Sequence, residues 1–226
     1  MQILLTNDDG WDAPGLAVLR EVAASFGSVT TVAPARPQSG ISHQLTLHRP
    51  MNWEQRGPDL YSLDGTPADC VRIALTQLSD EFDWVLSGVN DGANLGADIY
   101  VSGTVAGARE ARLFGFPAMA ISQYRLRYHE AFDWSGVCRR LDGVLQRFLG
   151  PQPTESQLIN INFPDPESVT QELSIVECPV DPHPLPSQYL STDEGYRYNS
   201  RYRDRNREPG CDVQVCFDGG ISVTYL

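Results

Sequence analysis

The chain has 226 residues, enough for one large α/β domain with a sizeable core, and nothing in its middle reads as a flexible linker. Its formal charge is -12, from 29 acidic against 17 basic residues, which argues against a nucleic-acid or anionic-membrane surface and against a phosphate site that lacks a metal. The five cysteines are odd in number and form no C-x-x-C pair, so neither a disulfide framework nor a zinc cluster is indicated.

The first element is "ILLTNDDG", residues 3 to 10, an aliphatic run suited to a strand covered on both faces, followed by the adjacent carboxylates Asp8 and Asp9. Chain entry is directly into this strand, with no basic and apolar signal segment before it. No later run reaches the roughly 18 apolar residues of a membrane span, so a soluble, cytoplasmic protein is expected. Pro14 can open a helix whose Leu16, Leu19, Val22, Ala23 and Phe26 share a face, with Gly27 at its stop. "SVTTVAP" (28 to 34) reads as a second strand. "TPADCVRIALTQL" begins close to a capping box, with Thr66 as cap, Pro67 next and Asp69 three residues after the cap, and predicts a helix to about Leu78. "DWVLSG" (83 to 88) reads as a strand, "GTVAGAREARLFG" (103 to 115) as a small-residue helix and "PAMAIS" (117 to 122) as a strand. A helix from about Ala131 to Leu149 and the strand "LININ" (158 to 162) extend the alternation. Regular alternation of strand and helix implies a mostly parallel sheet with helices on both faces.

Beyond Pro164 the rhythm changes, and the core is expected to span about 1 to 165 of a single domain, followed by hairpin and closing-strand segments. Prolines 179, 182, 184 and 186 and the stretch "EGYRYNSRYRDRNREPG" exclude a helix in this reading and suggest extended hairpins. The alternating "VQVCF" and "ISVTY" around "DGG" predict a last hairpin. The Tyr and Arg cluster at 196 to 207 resembles a nucleic-acid surface, but the global charge favours a solvated or subunit-contacting hairpin.

In a parallel sheet the turns after the strands open on one rim, and their polar residues form a set. Asp8 and Asp9 follow the first strand, "RPQSGIS" with Ser39 follows the second, and "SGVNDGANLG" with Asn90, Asp91 and Asn94 follows the "DWVL" strand. Two carboxylates, a hydroxyl and an amide carbonyl are hard oxygen ligands that suit magnesium or manganese. Taken singly, an Asp there is better read as a helix cap, Ser39 as a turn residue, and Asn90 and Asn94 as residues tolerating a glycine-rich loop. Ser102, Gly103 and Thr104 fall where a helix starts, and free backbone amides there can grip a phosphate, although Ser102 or Thr104 serves equally as an N-cap.

The motifs "ILLTNDDG", "APG", "VAPARPQSGIS", "DGTPADCV", "SGVNDGANLG", "YVSGTVAGARE" and "LININFPD" closely resemble the SurE family of stationary-phase survival proteins. That resemblance implies a Rossmann-like, metal-dependent phosphatase acting on nucleoside 5'- and 3'-monophosphates, with one divalent ion per subunit held at Asp8, Asp9, Ser39 and Asn90. Phosphate would then be gripped by Asn94, Ser102, Gly103 and Thr104, with Asp8 activating the nucleophile. Rival readings are a haloacid-dehalogenase-type phosphatase, whose aspartates stand two apart rather than adjacent, and a nucleotide-binding module without turnover. The family's C-terminal helix exchanged between subunits has no counterpart before Leu226. A homo-oligomer, dimer or tetramer, is therefore expected to rest on other surfaces, with 187 to 209 the leading candidate.

Overall fold

The computed structural model of the protein describes residues 1–79, 81–127, 130–150, 157–169 and 173–226. Its first strand, β1 (Gln2–Thr6), is buried on both sides as its sequence requires. Ile3 and Leu5 pack into a cluster with Leu16 and Leu19 of α1 (Pro14–Ala23) and Leu141 and Leu145 of α4 (Ser135–Phe148). Leu4, between them in sequence, faces the opposite cluster, built with Val71 of α2 (Pro67–Ile73) and Val105 and Ala108 of α3 (Gly103–Leu113). Successive strand residues point to opposite faces, so one aliphatic run joins two helical layers.

Around β1 lie β2 (Ser28–Pro34) on one side and β5 (Trp84–Asp91) on the other, both parallel to it, with Leu5 opposite Thr31 and Thr6 opposite Ser87. Outward from β2 comes β4 (Leu60–Leu63), and outward from β5 come β6 (Ala118–Gln123) and β7 (Leu158–Phe163), all parallel. The sheet is completed by β3 (Trp53–Gly57), antiparallel to β4, by β11 (Ile221–Tyr225), antiparallel to β7, and by β8 (Ile175–Glu177), giving nine strands in the order β3-β4-β2-β1-β5-β6-β7-β11-β8. A separate two-stranded sheet is formed by β9 (Tyr189–Thr192) and β10 (Gly195–Tyr198). No helix of the described residues is long and apolar enough to cross a membrane.

The expected alternation is present, and Thr66 and Asp69 form the capping box of α2, which runs on through one π-type turn to Leu78. The helix expected from Ala131 starts at Ser135 instead. Two features depart further from the sequence reading. The β3–β4 hairpin was unforeseen, since every β3 residue is exposed or half-exposed and so carries no apolar period. Residues Asp212–Phe217 are not a strand of a last hairpin but a helix, α5. The alternation Val213, Val215, Phe217 competes there with Val213, Cys216, Phe217 at helical spacing. The helix prevails because Val213 and Cys216 then bury together against Tyr124 and Leu95.

Candidate active site

At β1's carboxyl end the chain turns sharply. The Asn7 side chain spans the turn, donating from Nδ2 to the Gly10 carbonyl at 2.8 Å and accepting from the Gly10 amide at 3.3 Å. This turn presents Asp8, which is buried with 5 % of its surface exposed, beside the half-buried Asp9. One Asp8 carboxylate oxygen accepts from the Thr104 hydroxyl at the start of α3, and one Asp9 oxygen accepts from the Asp91 amide at 3.0 Å. Among the described residues no arginine or histidine forms an ion pair with either carboxylate. Burial first, and the Asp9 charge second, push the Asp8 carboxyl up to about 6, and burial likewise raises Asp9.

α3 approaches this turn closely because it begins with small residues. A Cβ on Gly103 would stand 2.8 Å from the Asp8 Cβ and 2.9 Å from its carboxylate, and one on Gly107 would stand 2.9 Å from the Thr6 methyl. Ser102 caps the helix, its Oγ accepting from the Val105 amide at 3.0 Å, while the Gly103 and Thr104 amides lie in the first turn, where the helix itself offers no partner. The loop after β2 is tied to the same place. Its Gln38 amide donates to the Asp8 carbonyl at 2.7 Å, Ser42 holds the Tyr100 and Val101 carbonyls, and the neighbouring Ser39 is exposed. On the other flank, Asn90 is the last but one residue of β5 and donates from Nδ2 to the Gly92 carbonyl at 2.8 Å, leaving its Oδ1 as the donor atom for a cation. The strands carrying these turns, β2, β1 and β5, are neighbours in the sheet, and chain order reverses about β1, the place where open α/β sheets bind ligands.

Comparison with known proteins shows the family to which this fold belongs. The family model described as "Survival protein SurE" matches residues 3–179. The chain belongs to the SurE family. A relative from Nostoc sp. is 42% identical over 226 residues, covering 100% of this chain and 99% of its own. The 5'-nucleotidase SurE of Neisseria meningitidis is 38% identical over 232 residues, with 100% and 92% covered. The crystal structure of the SurE protein from Aquifex aeolicus superposes with a TM-score of 0.84 at 32% identity, covering 100% of this chain and 93% of that one. The fold is therefore the Rossmann-like α/β architecture of the SurE family.

Of the sequence-predicted residues, Asp8, Gly103 and Thr104 meet directly, Asp9 adjoins Asp8 and is held by the Asp91 amide, and Asn90 and Ser39 sit on the two flanking turns. Asn94 is embedded more deeply. Its amide and carbonyl are held by Asn160 and Asn162 of β7, and its Nδ2 donates to Ser122 at 2.8 Å. Sequence inspection missed those β7 asparagines as supports of the SurE loop, although their spacing of two in an aliphatic strand puts both amides on one face, where buried polar groups need partners. It also missed Glu110, buried on α3, which pairs with Arg72 and with His43 of the loop beyond Ser39, both at 2.7 Å. A single acidic residue in a helix carries no local signal for that role.

Proposed function

We propose that this SurE-family protein is a metal-dependent phosphomonoesterase that hydrolyses nucleoside 5'- and 3'-monophosphates to nucleoside and inorganic phosphate, and that it works as a homo-oligomer. The observation that carries this reading is the Asp8–Asp9 couple, Asp8 buried and Asp9 half-buried, which has no ion-pair partner among the described residues and whose Asp8 faces the N-terminus of α3. Two adjacent carboxylates without a cationic side chain fit one divalent ion, Mg or Mn, with Asp8, Asp9, Ser39 and Asn90 as oxygen ligands. This donor set is hard, and among the described residues no group of three or more His, Cys, Asp or Glu offers a softer alternative. When bound, such an ion polarises the phosphoryl oxygens and offsets negative charge that develops in transfer to water.

The chain's own residues supply the rest. The Gly103 and Thr104 amides, at the positive end of an 11-residue helix, together with the Ser102 hydroxyl and the side chain of the more deeply set Asn94, hold the phosphate oxygens. Asp8 takes the proton of the attacking water, and the Thr104 hydroxyl fixes its carboxylate for that task. The support for a nucleotide substrate is the 5'-nucleotidase named among the SurE relatives. Phosphate release from AMP, measured after dialysis against a chelator with and without added Mn, tests the reading. Turnover should vanish without metal and return with it. Full activity in the metal-free protein overturns the metal assignment, and AMP binding without turnover overturns the enzyme assignment.

A further inference from the structure

The Tyr and Arg stretch that follows β10 does not point away from the molecule but walls a cavity of about 720 Å³ that opens beside the candidate site. Its near edge is Gly92 and Ala93, the residues immediately after Asn90 and Asp91. The next feature is the Asp91–Arg125 ion pair, in which Nη1 of Arg125 donates to both Asp91 carboxylate oxygens, at 2.9 and 2.7 Å, and so neutralises Arg125. Beyond it, Arg201, Arg203 and Arg207 line the cavity, all exposed, and among the described residues none of the three has a carboxylate partner. Asp204 also lines it, leaving three unpaired cations against one anion in a chain of net charge -12. Arg205, between them in sequence, is turned inward and held by Asp98.

A second observation points to a ligand. Tyr124 lines the same cavity with 3 % of its surface exposed, and its hydroxyl has no hydrogen-bond partner. Burial pushes that hydroxyl up to about 12, while the Arg203 and Arg207 charges act on it in the opposite sense, so all three groups share one electrostatic neighbourhood. A buried hydroxyl donor without an acceptor costs free energy until an acceptor arrives. Guanidinium forks bind phosphate in bidentate fashion and do so more strongly than neutral donors. The volume exceeds what one phosphate fills, and the half-buried Leu126 and Tyr202 in its lining give the apolar part of a ligand something to rest on.

We propose that the cavity walled by Tyr124, Arg201, Arg203 and Arg207 is a second anion subsite, which holds the phosphate that is not hydrolysed when a nucleoside carries phosphates on both its 3' and 5' oxygens. The Asp91–Arg125 pair separates this subsite from the Asp8–Asp9 turn. The anchored phosphate is therefore spaced from the reacting one, as on opposite ends of a ribose, rather than bonded to it. This inference rests on the phosphomonoesterase reading for its substrate, but its binding half stands apart from turnover.

The test uses the Arg201→Gln/Arg203→Gln/Arg207→Gln variant, with the single Arg201→Gln variant and Tyr124→Phe as controls that disturb packing less. In chelator, isothermal calorimetry should show the parent binding adenosine 3',5'-bisphosphate about tenfold or more tighter than AMP, and the triple variant losing that margin. Arg201→Gln should lose part of it. With Mn, kcat/KM for the bisphosphate should exceed that for AMP chiefly through KM, and the triple variant should abolish this preference while AMP turnover stays within about twofold of the parent. ADP, with contiguous phosphates, should gain less than the bisphosphate. Equal binding of AMP and the bisphosphate by the parent, an unchanged margin in the triple variant, or an equal gain for ADP overturns the subsite. The binding margin without hydrolysis of either compound leaves the subsite standing and removes the phosphatase reading instead.

Discussion

Asp8 and Asp9 adjoin in sequence but differ in surroundings, and the difference sets what each substitution should do. With metal removed, the folded state holds a proton on Asp8 up to about pH 6, whereas an ordinary aspartate carboxyl titrates at 3.8. The folded form binds more protons than the unfolded chain between those values, so stability is greatest below the lower one and falls as pH rises through the upper one. At about 1.4 kcal/mol per unit, the penalty at neutral pH is roughly 3 kcal/mol. Asp8→Asn removes it. In chelator, the urea midpoint of Asp8→Asn should match the parent near pH 4 and exceed it near pH 7.5, and a variant less stable than the parent at neutral pH would contradict the repulsive, desolvated pair. Activity should move the other way, with Asp8→Asn losing about 10² to 10⁴ in kcat even at saturating Mn, as for loss of a proton-transferring group. Asp9→Asn should be partly rescued by excess Mn. Near-parental turnover of Asp8→Asn in high Mn would make Asp8 a ligand only. Gly103→Ala addresses the same spot from the helix side. Its methyl meets the Asp8 side chain at 2.8 Å, so about 1–3 kcal/mol of overpacking strain and a fall in kcat should appear together, measured by denaturation and phosphate release. The carboxylate pair was legible in sequence because two like charges at a strand end demand an explanation. Its Thr104 partner could be placed beside it only through the parallel-sheet argument, since 96 residues separate them.

Elements whose burial follows one period were legible, and those held by distant polar contacts were not. β1 and α1 announce themselves through aliphatic spacing, and α2 through its cap. α5 instead owes its place to Asp212, whose carboxylate accepts from the Gly96, Asp181 and Val213 amides at 2.8 Å each. The same loop of Leu95 to Asp98 is clamped by Arg205, which donates to the Asp98 carboxylate at 2.8 Å and to the Leu95 carbonyl at 3.1 Å, while the Tyr202 hydroxyl donates to Asp98 as well. Charged residues in "EGYRYNSRYRDRNREPG" look solvated when read locally. Yet one of its arginines is buried at 4 % exposure, and nothing in the spacing distinguishes it from its exposed neighbours. Removing it leaves the Asp98 charge without its cation inside the protein. Arg205→Ala should therefore cost about 3 kcal/mol, and Arg205→Met, which keeps the stem, should recover little of that. Hydrogen exchange should speed up at the Gly96 and Asp181 amides, which this clamp and Asp212 hold in place. A denaturation midpoint unchanged in both variants would show that the C-terminal segment docks without the ion pair.

At the scale of the whole molecule, the β9–β10 hairpin stands apart from the nine-stranded sheet. All eight of its strand residues are exposed, Tyr196 at 82 % and Tyr189 at 59 %, and its ring contact is internal, Tyr189 edge-on to Tyr198 at 5.6 Å. A two-stranded hairpin by itself is marginally stable in water, and exposed tyrosines with an arginine between them match the composition of protein interfaces. These properties support contact between copies of the chain through this hairpin. Such an interface would order the hairpin and bury its aromatic face, and it can be removed cleanly. The Asn199 amide donates to the Gln188 carbonyl at 2.9 Å, so residues 189–198 leave and return at one point and can be replaced by a short glycine-rich turn that spares Arg201, Arg203 and Arg207. The expected result is a fall from an oligomeric mass to that of a single chain, just below the 25.0 kDa of the parent, by light scattering, with an unfolding midpoint that loses its dependence on protein concentration. An oligomer of unchanged mass after the replacement would put the contacts elsewhere on the sheet and helices, and a parent protein that runs as a monomer at every concentration would leave the exposed hairpin without a second copy to meet.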